Sequence, residues 1–456
     1  MCANAIQTEQ PLSACQSQRL QALLRAAMAC PFYGALLKGR TLDQIALRDL
    51  PVISKSALMQ RFEQHVGDPQ LRLSELQAFC RDPSRIAEPY LGRYTVWESS
   101  GSSGQPGIYV HDAAAMAVYE QLEATRRQTP RPWARLWDPL YLTERFAFVG
   151  AIDGHFASHV SVQRLRKKQP WLTTQWRSFS ILQAASALVQ QLNSFMPSII
   201  ATYPTAALLL AQELERGALR CHPQEIWTGG ETLSTAMRSR IEAAFGCPLR
   251  NSYGASEFLP IAWECAKGHL HVNADWVILE PVDAQGQATP AGQASHTTLL
   301  TNLANHAQPL IRFDIGDSIT LDPRPCACGS ALPVIEVQGR RDDMLSIAGL
   351  GGQGSIPPHV TLLPLALSTV LEEDAGLFDF QLQQTKTGLQ LSLGPNADKS
   401  PQARELYRRD LKRFIAQQGG APQRLSIRVG DPRQLGRSGK HKRISALPSS
   451  GGAAGQ

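Results

Sequence analysis

The sequence predicts an α/β fold: a large N-terminal domain of parallel strands and helices, a small β-rich subdomain, and a smaller α+β unit at the C-terminus. Three observations carry this. Strand-like and helix-like segments alternate from Phe146 to Gly254, the pattern of βαβ crossovers in a parallel sheet. From Glu264 to Pro333 the pattern becomes short strands between Gly, Pro and Asn turns. After about Gly339 it changes again, to strands with two amphipathic helices. The expected division is therefore 1–338, with its β-rich part at about 264–338, then 339–446, then a frayed tail at 447–456. A chain of 456 residues suits two to four domains at roughly 150 residues each.

The elements follow in order. Residues 1–30 contain LSACQSQRLQALLRAAMAC, apolar near helical spacing. A second amphipathic helix starts after Ser54, a suitable N-cap. Tyr94 to Trp97 and Gly107 to Val110 read as paired strands around a Ser/Gly loop, and residues 112–128 as an Ala-rich helix. Then come strand RFAFVG, helix SILQAASALVQQLNSF, strand PSIIATY and a helix with Pro204 in its first turn. Strand QEIWTGG, a helix from Ser234 to Gly246 and strand PLRNSYG complete the alternation.

Hydrophobic residues make up 43 % of the chain and charged residues 18 %, which excludes a disordered tail protein and a coiled coil. No apolar run reaches the ~18 residues of a membrane span. The first residues show no basic segment followed by an apolar one, and nine cysteines, an odd number, suit reduced thiols. Both features point to the cytoplasm. Net charge is +6, but residues 401–456 hold 12 Lys/Arg against 3 Asp/Glu. Such a segment meets a polyanion or is simply a solvated helix face. No aromatic residues interleave with it beyond Tyr407 and Phe414, so nucleic acid is not the expected partner.

The chemistry-bearing motifs lie where strands end. Ser100-Gly101-Ser102-Ser103-Gly104 can turn successive N–H groups inward as a phosphate-binding nest; a flexible linker is the alternative. Gly229-Gly230-Glu231 and Asn251-Ser252-Tyr253-Gly254-Ala255-Ser256-Glu257 each follow a predicted strand, and ligands of open α/β sheets bind at such carboxyl ends. Further on stand RFDIGD, ending at Asp317, then Gly339-Arg340-Arg341-Asp342-Asp343, and a late basic SGKHKR with Lys440. Singly, Tyr253 reads equally as core, Asp317 as a turn residue and Glu257 as a helix-start acid.

Six motifs in this order, over residues 30 to 446, resemble the adenylate-forming superfamily of acyl-CoA synthetases, and within it the phenylacetate-CoA ligase branch. Pro31-Phe32-Tyr33 and Leu50-Pro51-Val52-Ile53-Ser54-Lys55 echo that branch's opening segments. The resemblance implies a mobile C-terminal domain and two half-reactions. A carboxylic acid, expected to be an aryl acid, attacks the α-phosphate of ATP to give an acyl-adenylate, and a thiol such as coenzyme A then displaces AMP. By the same resemblance Ser100 to Gly104 hold the β/γ-phosphates, and Gly229, Gly230 and Glu231 line the adenine. Asn251, Tyr253 and Gly254 complete the base pocket, and Asp317 takes the ribose hydroxyls. Glu257 ligates Mg²⁺, a hard cation suited to oxygen donors. Arg340 assists near the hinge, and Lys440 meets the attacking carboxylate, with Lys442 as the competing assignment. The chain departs from the wider family at Gln105, where the phosphate loop usually carries a lysine.

Cys326-Ala327-Cys328 lies in a Pro-rich turn, with Cys265 and His271 upstream, the donor set of a structural zinc site. The phenylacetate-ligase branch shows a similar pattern; reduced cysteines at a turn are the alternative. His155 and Phe156 are candidates for the wall of the acid pocket, or for core aromatics. Rival activities are acyl transfer to a carrier-protein phosphopantetheine, AMP transfer to a hydroxyl, and nucleotide binding without catalysis.

Overall fold

The computed structural model describes residues 12–99, 106–126, 143–350, 359–430 and 440–447. The Ser100 to Gly104 loop and Gln105 lie outside the described residues.

The first helix runs Leu12–Ala27, and a short helix Lys55–Gln60 begins where Ser54 Oγ accepts the Ala57 N–H at 3.2 Å, as an N-cap should. Strands β1 (Thr95–Glu98) and β2 (Ile108–His111) pair antiparallel on either side of the Ser/Gly loop. All four residues of each strand are buried, so both faces of this ribbon are covered.

A nine-stranded sheet forms the body of the protein. Its parallel half contains β3 (Phe146–Gly150), β4 (Trp176–Ser180), β5 (Ile199–Thr202), β6 (Glu225–Gly229) and β7 (Leu249–Ala255), in spatial order β4-β3-β5-β6-β7. β3 is buried along its whole length, as expected of a parallel strand with helices on both faces. The crossover helix Pro204–Glu215 starts with Pro204 at a position whose N–H would be unpaired anyway. Helix Thr235–Phe245 starts at Ser234, which accepts the Met237 N–H at 3.1 Å, and stops at Gly246 with φ +63°.

The expected β-rich subdomain is not a separate body. β8 (Phe258–Glu264), β9 (Leu270–Val272), β13 (Asp317–Leu321) and β14 (Val334–Arg340) continue the same sheet in antiparallel fashion, in order β7-β8-β9-β14-β13. Only β10 (Val277–Val282), β11 (Thr297–Asn302) and β12 (Phe313–Asp314) form a sheet of their own. Turn-rich composition signals the switch from parallel to antiparallel pairing, but it does not say which edge the hairpins join. Strand β4 and the helix Ala157–Lys168 also escape the sequence reading. β4 alternates polar and half-buried residues at the sheet edge, and the helix is rich in Arg, Lys and Gln.

Beyond β14 the chain builds a second core made only of residues from Leu345 to Ile444. It contains β15 (Leu345–Ala348) paired with β16 (His359–Leu362), and a four-stranded sheet. That sheet has β17 (Phe380–Thr385), β18 (Gly388–Leu393), β19 (Leu425–Val429) and β20 (Ile444–Ser445) in order β19-β18-β17-β20, covered by helix Pro401–Gln417. No single described helix is long and apolar enough to cross a membrane.

Candidate active site

A cleft of about 1530 Å³ opens at the carboxyl ends of β6 and β7 and is roofed by the C-terminal unit. Its lining includes Gly230, Glu231, Asn251, Tyr253, Gly254, Glu257, Asp317, Arg340 and Lys440, residues up to 210 positions apart that the sequence reading had grouped. Gly229 ends β6 and packs against Ser252 of β7.

The β6–β7 part is tightly fixed. Asn251 accepts the Thr228 hydroxyl at 3.0 Å, and its own N–H goes to Glu264 at 2.7 Å. A register shift between Tyr253 and Ala255 brings the Leu259 carbonyl against Gly254, so that a side chain there would collide with backbone. Tyr253 donates its hydroxyl to Asp317 Oδ2 at 2.6 Å, and Asp317 Oδ1 pairs with Arg340 at 3.1 Å. Asp317 and Arg340 face each other across the β13–β14 pair, so an antiparallel register places this acid–base couple. Asp317 holds the Arg340 guanidinium more firmly protonated than usual.

Glu257 sits opposite. Tyr109 of β2 donates to Glu257 Oε1 at 2.5 Å, and burial pushes the carboxyl above the ordinary glutamate range. A carboxylate that opens on this cleft offers the kind of oxygen ligand that Mg²⁺ prefers. Lys55 also lines this cleft, and burial lowers its pKa, with Glu257, Arg340 and Asp342 as its charged neighbours. The strand-like segment before it is pinned by Ile53 N–H to the Arg312 carbonyl at 3.1 Å and by Asp314 N–H to the Ile53 carbonyl at 2.9 Å. Neither Tyr109 nor Lys55 carries a local signal of its site role. Both reach it through long-range pairing.

Lys440 enters from the C-terminal unit. Its ammonium lies over the Tyr203 ring at 5.7 Å and within 3.1 Å of the point where a Gly230 side chain would begin. Gly230 itself has φ +78°, a further reason for glycine there. Lys442 points elsewhere and pairs with Asp343 at 2.6 Å.

His155 and Phe156 do not line this cleft. His155 is fully buried, its Nε2 pairs with the Asp82 carbonyl at 2.9 Å, and its ring packs edge-on against Phe79 at 5.1 Å. Phe156 caps the helix Ala157–Lys168 and bridges to Glu98. Both belong to the packing between β1 and that helix. An aromatic pair after a glycine looks the same in sequence whether it faces a ligand or a core.

A second cluster stands on the antiparallel half. Cys265, His271, Cys326 and Cys328 bring one ligand atom each within 4.8 Å of one another. Cys265 Sγ lies 3.8 Å from Cys326 Sγ, and Cys328 Sγ lies 3.3 Å from His271 Nε2. Metal–ligand bonds of ~2.0–2.3 Å in a tetrahedron space their donors by roughly 3.3–3.8 Å, so the set fits a single zinc ion. His271 Nδ1 is engaged by the Leu332 carbonyl at 2.9 Å, which fixes the tautomer that leaves Nε2 facing the sulfurs.

No family model matches the chain. Relatives do. A phenylacetate-coenzyme A ligase of Thermus thermophilus is 25 % identical over 372 residues, covering 79 % of this chain and 76 % of that protein. One of Pseudomonas putida is 31 % identical over 173 residues, 36 % of this chain and 38 % of that protein. Among solved structures, 2-hydroxyisobutyryl-CoA ligase in its postadenylation state, bound to an acyl-AMP, superposes with a TM-score of 0.68 at 18 % identity. That superposition covers 98 % of this chain and 91 % of the ligase. The same ligase with CoA in its thioesterification state gives 0.55, covering 97 % and 91 % at 18 % identity.

Proposed function

We propose that this chain is a phenylacetate-CoA ligase-like member of the adenylate-forming superfamily, and that it activates a carboxylic acid with ATP and passes the acyl group to coenzyme A. The observation that carries this reading is the meeting of Lys440 with Asp317, Arg340 and Glu257 in one cleft at the sheet's carboxyl ends. An acyl-adenylate ligase needs a cation that comes and goes near the α-phosphate and fixed groups for the nucleotide. The cleft supplies both, from two separate cores.

In the first half-reaction a carboxylate oxygen bonds to the α-phosphorus as the bond to pyrophosphate breaks. Lys440 offsets the negative charge that grows between the two anions. Asp317 receives the ribose hydroxyls, and Tyr253, held by its bond to Asp317, presents its ring to the base. Asn251 and Gly254 shape the floor. Glu257 would hold Mg²⁺, which neutralises phosphate charge when bound. Arg340, half exposed beside Asp317, faces the phosphates. In the second half-reaction the thiol sulfur bonds to the acyl carbon and AMP leaves. The C-terminal unit moves between the two steps about the Arg341–Asp343 turn. The better superposition on a postadenylation ligase than on its thioesterification state supports the present arrangement as that of the first step. The Cys/His cluster holds a structural zinc ion.

An exchange screen tests the reading. Labelled pyrophosphate should enter ATP only in the presence of the right acid, with phenylacetate and other aryl acids tried beside short and long aliphatic ones. CoA should then yield a thioester. A folded protein that exchanges with none of these acids defeats the proposal.

A further inference from the structure

We infer that Glu231 is a positioning residue that docks the Lys440 segment, and that the turn Gly230–Ser234 is the receptor for that segment rather than a wall for the base alone. Glu231 has both carboxylate oxygens committed. Oε2 accepts the Thr205 N–H at 3.1 Å and the Thr205 hydroxyl at 2.7 Å, at the start of helix Pro204–Glu215. Oε1 accepts the backbone N–H of His441 at 2.9 Å. One acid thus ties the N-terminal body to the residue that follows Lys440. A carboxylate used in this way keeps one acceptor site, on Oε1, so a contact to an adenine amine would share the oxygen that holds His441.

Three residues on, the same turn grips the segment a second time. The Ser234 hydroxyl donates to Glu372, and Glu372 pairs with Arg443; Ser234 and Glu372 are buried and Arg443 is partly so. Ser234 and Glu231 therefore hold residues 443 and 441, and Lys440 is the next residue in line. Charge supports the geometry. Burial lowers the Lys440 pKa, and the first charge that raises it again is Glu231. Asp317 and Glu257 act in the same direction more weakly, and Arg340 opposes them. A buried ammonium with its nearest carboxylate removed loses both its anchor and part of its reason to stay protonated.

The inference rests on the adenylation reading for its catalytic meaning, but its test does not need that reading. The full chain is treated briefly with acetic anhydride, without substrate, and lysine acetylation is read by peptide mass spectrometry. Lys440 should react at least ~10-fold more slowly than exposed Lys386, and in Glu231→Gln its rate should rise ~5-fold or more. Thr205→Val, which removes one of the two Oε2 partners, should give a smaller rise. Where the wild type exchanges pyrophosphate, the alkaline limb of its pH profile should move to lower pH in Glu231→Gln, because an ammonium with less opposing charge loses its proton sooner. Unchanged Lys440 labelling in a folded Glu231→Gln overturns the inference. If that variant does not fold, unchanged labelling in Thr205→Val does so. A wild type with no exchange at all defeats the adenylation reading while the labelling ratio still decides this one.

Discussion

The cleft spans both halves of the large sheet, the Cys/His cluster stands on the antiparallel half alone, and the two are built on opposite plans. The cleft draws its groups from both cores, and its charges oppose one another: Asp317 pairs with Arg340, Lys442 pairs with Asp343, and Glu231 is the carboxylate that acts most strongly on Lys440. The cluster draws four donors from residues 265 to 328, within two turns and one strand, and its tautomer is set from behind by Leu332. Opposed pairs that half face solvent add little to folding, because the gain in attraction is spent on desolvation and screening. Their value appears when a polyanion enters. Three sulfurs and an imidazole with no cation among them are useful only when an ion ties them together, and then the value is stability. Function and stability should therefore separate cleanly between the two.

Lys440→Ala should give the widest separation. Loss of one cation at the reacting phosphate should lower acid-dependent pyrophosphate exchange by ~10²-fold or more. The melting temperature should change little, since a desolvated ammonium is costly to bury. Use of supplied acyl-adenylate should survive. Equal loss of both half-reactions in a folded protein would break the division of labour between the two cores.

Asp317→Asn comes next. The amide keeps a hydrogen-bonding shape but drops the charge that Arg340 and the Tyr253 hydroxyl both use. The apparent KM for ATP should rise ~10- to 100-fold, the scale of charge-assisted hydrogen bonds. An unchanged KM would move the ribose contact elsewhere.

The cluster should show the reverse behaviour. Metal analysis should find about one zinc per chain under tetrahedral coordination. Cys326→Ser with Cys328→Ser should abolish it and lower the melting temperature by ~5 °C or more. Exchange per folded molecule should stay within ~3-fold of the wild type. Metal content unchanged by both substitutions would remove the zinc assignment, and lost exchange in a stable protein would show that the two regions are coupled.

The two regions also differ in how far they can be read before folding. The cluster was legible almost whole, because its ligands are of rare types and the Cys-x-Cys spacing places two of them together. The cleft was legible as a set of motifs but not as a set of bonds. Glu231 reads as part of an adenine wall, yet its carboxylate goes to Thr205 and His441, a link that depends on how the C-terminal unit docks. Lys55 reaches the cleft, and Tyr109 reaches Glu257, through pairing with segments far along the chain. His155 fails for the opposite reason: next to a glycine after a buried strand it suggests a ligand wall, but the neighbouring Phe79 and Asp82 claim it. The βαβ alternation predicts four of the five strands of the parallel half, β3, β5, β6 and β7, and misses the edge strand β4. The join of β8, β9, β13 and β14 to that sheet was not readable, because alternation fixes a strand's faces and not its neighbours.

The smallest expected effect is the sharpest test of the pairing plan. Lys442 is two residues from Lys440, carries the same charge and sits in the same basic segment. Its ammonium is nevertheless already engaged with Asp343, at the turn where the N-terminal sheet hands over to the C-terminal unit. The pair is partly open to solvent, so it should contribute no more than ~1 kcal/mol. Lys442→Ala should then change exchange by less than ~3-fold and the melting temperature by a degree or two. Asp343→Asn should do the same, and the double variant should be no worse than either single one, since each removes the same contact. High salt should erase the difference from the wild type in stability. A loss in Lys442→Ala that equals or exceeds that in Lys440→Ala would mean that the segment shifts by two residues when ATP binds. The docking through Glu231 and Ser234 would then have to slide with it, and the comparison between a fixed cluster and a paired cleft would become one between a fixed cluster and a moving one.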